Sequence, residues 1–172
     1  MTAKLRSYTG LILFSFVICH FINHMFGLHS LAAMNEAHKY LIGPWRWMPI
    51  NLLLTASAVL HMLLAFKSIF KRRSYRLAPW EWVQIISGLT IPFLLVEHIV
   101  ATMVAEKAFG ITANYRLVMA ALWVGEPYKS FLQVAALIIV WTHGCVGIHY
   151  WFRTKEWYEK WRLHLQYLAL VI

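Results

Sequence analysis

Four histidines lie inside apolar stretches of this 172-residue chain: His20 in TGLILFSFVICH, His61 in VLHMLLAF, His98 in SGLTIPFLLVEH and His143 in VWTHGCVG. An imidazole at membrane depth must find a partner or forfeit its solvation, so each is a functional position by default. Their spacing suggests the partners. His20 and His98 are 78 positions apart, as are Gly10 and Gly88, Leu11 and Leu89, Trp45 and Trp123, and Pro49 and Pro127. Beyond the prolines the offset becomes 82, pairing His61 with His143, Ala65 with Gly147, and Lys71 with Arg153. The second copy has therefore gained four residues, about one helical turn.

Each copy holds two apolar runs, so both copies run in the same sense and matched positions share a depth. That puts His20 and His98 at an outer level and His61 and His143 deeper by about 10 Å. Two histidines at one depth on facing helices suit the axial positions of a haem iron, and a four-helix bundle core is where such a site is built. Zinc or copper would call for three or four ligands converging on one point. The competing reading is four helix-to-helix hydrogen bonders without metal. His24, one turn from His20, and His149, six residues past His143, have Thr102 and Lys67 as repeat counterparts, so they are supporting groups or alternates to the ligands. His29, His38 and His164 fall at or beyond the run boundaries, where a solvated or interfacial histidine is expected.

The elements that must position these rings are apolar helices. Runs at Tyr8–Phe26, Pro49–Phe70, Val83–Val104 and Tyr128–Phe152 approach or exceed the ~20 residues of a membrane span, and a fifth begins near His164 and reaches Ile172. The expected fold is an all-α polytopic membrane helical bundle. It forms one domain over 1–172, with repeat 1 at 8–76, repeat 2 at 83–155 and the start of a fifth, truncated helix at 156–172.

Composition agrees: 60% of residues are hydrophobic and only 13% charged, which excludes an ordinary soluble domain. The net charge of +9 is spread around the spans, so it reads as topology and lipid headgroup contact and not as a nucleic-acid surface. Lys4, Arg6, Lys67, Lys71, Arg72, Arg73, Arg76, Arg153, Lys155, Lys160 and Arg162 fall on one side, against Lys39, Arg46, Lys107, Arg116 and Lys129 on the other. This asymmetry places the N-terminus in the cytoplasm. Lys4 and Arg6 precede the first run without a cleavage site, so that run reads as a retained helix.

Other residues are assigned with less force. Cys19 and Cys145 are two intramembrane cysteines, too few for a disulfide framework or a four-cysteine cluster. Arg46, Lys39 or Arg116 outside, and Lys67 or Lys71 inside, could meet haem propionates or simply anchor the interface. Gly10, Gly88, Gly144 and Gly147 would let backbone approach a porphyrin or a neighbouring helix. Glu97, beside His98, could carry a proton, meet a quinone or face a polar cavity. Trp45, Trp47, Trp80, Trp82, Trp151, Trp157 and Trp161 mark the two interfaces.

With FLLVEHIVAT and VLHMLLAF around two of the four histidines, the chain looks like the di-haem cytochrome b anchors of succinate and fumarate:quinone oxidoreductases. The order LFSFVICHFINHMFGLHS, VLHMLLAF, RRSYRLAPWEWVQIISGLTIPFLLVEH and VWTHGCVGIHYWFR more closely resembles the six-helix, succinate-dehydrogenase-like N-terminal anchor of certain bacterial class III adenylate cyclases. That resemblance implies two b haems, one held by His20 and His98 and the other by His61 and His143. It further implies a redox- or quinone-sensing regulatory role in cAMP signalling, a homodimer formed through a downstream cyclase domain, and residence in the bacterial inner membrane. The chain contains no Asp, whereas class III cyclases resemble one another in a pair of metal-binding aspartates, so catalysis is not expected within these residues. The alternatives from other classes are an anchor subunit of a quinone oxidoreductase and a haem-free transporter or structural bundle.

Overall fold

The computed structural model describes residues 2–74, 76–104, 108, 110 and 115–171; Lys107 and Ile172 lie outside the described residues. The fold is all-α, with no strand among the described residues. Four long helices, α1 (Thr2–Phe26), α4 (Met48–Phe70), α5 (Pro79–Ile99) and α7 (Tyr128–Phe152), carry the histidines. Between them lie α2 (Leu31–Leu41), α3 (Gly43–Arg46) and α6 (Tyr115–Ala120), and α8 (Glu156–Val171) follows. Two π-helical turns, Val100–Val104 and Ala121–Gly125, follow α5 and α6.

Segments Thr2–Phe26, Met48–Phe70, Pro79–Thr102 and Tyr128–Phe152 are long and apolar enough to cross a membrane. α1 and α5 start earlier than their apolar runs. Ala3, Lys4, Leu5 and Arg6 are good helix formers, so backbone helix continues past the apolar edge. At α5 the helix opens on Pro79, whose fixed φ suits the first turn, and the Glu81 carboxylate accepts from the Ala78 N–H at 3.2 Å. α7 has 25 residues against 23 in α4, so only part of the four-residue gain lengthens the helix.

The packing is inverted relative to a soluble bundle. The buried positions of the four long helices include Thr9, Asn23, Ser57, Ser87 and Ser130, whereas Phe70 and Phe93 are each 82% exposed. Small and hydroxylated residues allow close helix approach where lipid, and not water, covers the outside. α1 packs on α4, α5 packs on α7, and α1 also packs on α7. Direct packing between α1 and α5, and between α4 and α7, is slight, so those pairs lie across the bundle from one another.

α8 folds back along α7. Tyr158 Oη lies 2.9 Å from His149 Nδ1, and Trp141 Nε1 donates to the Ala169 carbonyl at 2.8 Å. Pairing 149 with 158 and 141 with 169 defines an antiparallel arrangement that carries the end of α8 to the middle of the α7 span. Burial pushes the Tyr158 phenol up.

Candidate functional site

The two histidine pairs meet across the bundle. The His20 ring on α1 faces the His98 ring on α5 with centroids 5.9 Å apart and planes at 74°. The His61 ring on α4 faces the His143 ring on α7 at 6.4 Å and 84°. Each pair thus connects two helices that otherwise barely touch. Metal–imidazole bonds of about 2.0–2.1 Å on opposite sides of one ion would hold two ring centroids roughly 6 Å apart. By donor type and centroid spacing, each pair would accommodate one ion between two imidazoles.

The levels lie farther apart than the ~10 Å expected. On α1 the partner of His61 is the segment Arg6 to Gly10, ten or more residues before His20. On α5 the partner of His143 is Ser87 and Gly88, ten or more residues before His98. At 1.5 Å per residue the separation is about 15 Å. A layer built from Phe14 and Trp141, with ring centroids 5.5 Å apart, lies between the levels, and Phe21 also reaches Trp141 at 5.9 Å.

Matched positions have matched surroundings at the inner level. His61 Nδ1 lies 3.0 Å from the Arg6 carbonyl and 3.3 Å from Thr9 Oγ1, while His143 Nδ1 lies 3.0 Å from Ser87 Oγ. Thr9 and Ser87 are 78 positions apart, like the glycines that follow them. A Cβ added at Gly10 would stand 3.0 Å from His61 Cε1, and one at Gly88 would stand 2.8 Å from His143 Cε1. These two glycines therefore make room for the inner imidazoles. Gly144 makes room for the Phe14 ring, and a Cβ at Gly147 would lie 3.3 Å from Gln84 Nε2.

The outer level is less regular. His24 Nε2 lies 3.2 Å from His20 Nε2, so His24 contacts the expected ligand directly while its own ring remains exposed. Among the described residues, His20 Nδ1 is buried without a hydrogen-bond partner. Beside the pair, Asn23 Nδ2 donates to Tyr115 Oη at 2.6 Å, and Tyr115 Oη lies 3.0 Å from His38 Nδ1. His38, expected to be solvated or interfacial, is tied to Tyr115, whose phenol is pushed up chiefly by burial. Sequence reasoning missed this cluster; the signal that could have found it is Asn23, an amide inside an apolar run between His20 and His24. Thr102, the counterpart of His24, bonds its own helix at the His98 carbonyl, 2.7 Å away.

The remaining candidates lie elsewhere. His149 joins Tyr158 and serves the α7–α8 contact. Glu97 points away from the core and pairs with Lys129, which also pairs with Glu126. Lys39 pairs with Glu36 at 2.6 Å. Cys19 and Cys145 are free thiols. Among the described residues, no three His, Cys, Asp or Glu side chains are grouped to hold a metal ion.

No family model, curated protein or solved structure matches this chain.

Proposed function

We propose that the chain is a two-haem membrane anchor, with His20 and His98 as axial ligands of an outer b haem and His61 and His143 as those of an inner one. The observation that carries this reading is the double cross-bundle pairing at separations of 5.9 and 6.4 Å. Bound there, haem supplies one-electron chemistry at two levels of the membrane. The chain's own part is to hold paired imidazoles edge to face, to exclude water with apolar helices, and to keep the levels apart with the Phe14–Trp141 layer.

The resemblance to cyclase anchors extends the proposal to redox or quinone sensing for a cyclase domain, with the N-terminus cytoplasmic. α8 is the element placed to report a change at the inner level, because Trp141 is two residues from His143 and bonds α8 directly. A redox change shifts the charge at the inner level by one unit in a low-dielectric setting. The test uses the reduced-minus-oxidised spectrum of membranes carrying the chain, together with cyclase activity of a polypeptide joining this anchor to a class III cyclase domain. Two redox-active b haems and different activities in the two states support the reading. Equal activities leave the anchor as a haem-binding tether. The contact between His20 and His24 favours a second reading at the outer level alone, a hydrogen-bonded histidine pair without metal.

A further inference from the structure

Thr9 and Ser87 do more than fill space beside the inner histidines. Thr9 Oγ1 lies 3.0 Å from the carbonyls of both Leu5 and Arg6 as well as 3.3 Å from His61 Nδ1. Ser87 Oγ lies 2.5 Å from the Val83 carbonyl, 3.3 Å from the Gln84 carbonyl and 3.0 Å from His143 Nδ1. A hydroxyl has one proton to give and two lone pairs to accept with. Carbonyls only accept, so each hydroxyl directs its proton along its own helix and offers the ring a lone pair. The ring nitrogen facing it must then carry the hydrogen. The Arg6 carbonyl, 3.0 Å from His61 Nδ1, makes the same demand. The Gln84 side-chain amide lies 3.5 Å from His143 Nε2, on the opposite side of that ring.

We propose that Thr9 and Ser87 are positioning residues that fix His61 and His143 as Nδ1–H tautomers, which leaves the lone pair of each ring on Nε2. The tautomer follows from hydrogen-bond chemistry alone; its use as a pair of metal ligands rests on the two-haem reading. A ring whose Nδ1–H is bonded to oxygen is oriented and is a more basic ligand through Nε2. Among the described residues the outer level has no such device, since His20 Nδ1 is unpartnered there and the His20–His24 contact leaves the tautomers of both rings open.

The test reads ring-nitrogen chemical shifts in the whole chain, labelled with 15N-histidine and prepared without haem. His61 and His143 are expected as Nδ1–H tautomers. Ser87→Ala moves His143 toward a tautomer mixture and leaves His61 alone, and Ser87→Thr restores it. Thr9→Val moves His61 less, because the Arg6 carbonyl remains, and it provides a second readout if Ser87→Ala fails to fold. In haem-loaded protein Ser87→Ala raises the midpoint potential of the inner haem, since a less basic imidazole favours ferric iron less. An Nε2–H ring at His143 in the wild type, or shifts and potential unmoved by Ser87→Ala, overturns the proposal. Should the wild type bind no haem, the two-haem reading fails while the ring-nitrogen result still decides the tautomer.

Discussion

His61 and His143 face one another at 6.4 Å from helices α4 and α7, which lie across the bundle and scarcely touch elsewhere. His20 and His98 do the same from α1 and α5 at 5.9 Å. Crossed pairs at two heights separate the inner histidines from the outer ones, where His20 also meets His24. Replacing His61 or His143 with Ala should therefore lower haem content from two per chain to one and spare the outer haem. Replacing His20 or His98 should do the reverse. Haem quantified per chain, with the remaining haem identified by its potential, checks this, and loss of both haems in all four variants would contradict independent levels.

His24 tests the choice of outer ligand. With His20 as ligand, His24→Ala removes a neighbour at 3.2 Å but keeps both haems. The absorption spectrum of the variant should retain the outer haem. If His24→Ala loses it while His20→Ala does not, His24 is the ligand.

Gly88 tests the room beside the inner ring. Gly88→Ala would bring a Cβ to 2.8 Å from His143 Cε1, and overpacking of this kind costs about 1–3 kcal/mol. The inner haem should be lost or displaced, and thermal stability in detergent should fall. Gly125→Ala, where the nearest atom would be 4.0 Å away, should change neither.

The pairing of these rings was legible because a sequence repeat fixes depth: equal offsets on parallel copies put His20 with His98 and His61 with His143. Their separation was not. It depends on which residue of α1 meets His61, and the Gly10–His61 contact that sets this register is a tertiary fact without a periodic signature. The hydroxyls of Thr9 and Ser87 stood at the repeat offset beside matched glycines, yet a Ser or Thr in an apolar run reads first as helix packing. Tyr115 was not legible because its bond to Asn23 is a tertiary contact between residues 92 positions apart, without a repeat counterpart. The early starts of α1 and α5 were hidden because hydropathy marks where the apolar run ends, whereas helix continues wherever backbone hydrogen bonds and propensity allow.

Trp141 links the inner level to α8. Trp141→Phe keeps an aromatic ring against Phe14 but deletes the bond to the Ala169 carbonyl, a loss of about 0.6–2 kcal/mol in a membrane bundle. Hydrogen exchange should quicken at the end of α8 while haem content stays at two. Unchanged exchange there would show that α8 is held by other contacts.

Haem counted against protein in the purified wild-type chain bears most directly on the account. Two b haems per chain, both low-spin with two histidine ligands in the oxidised form, are predicted from the crossed pairs. One haem, or a colourless protein after expression with ample haem supply, would contradict it.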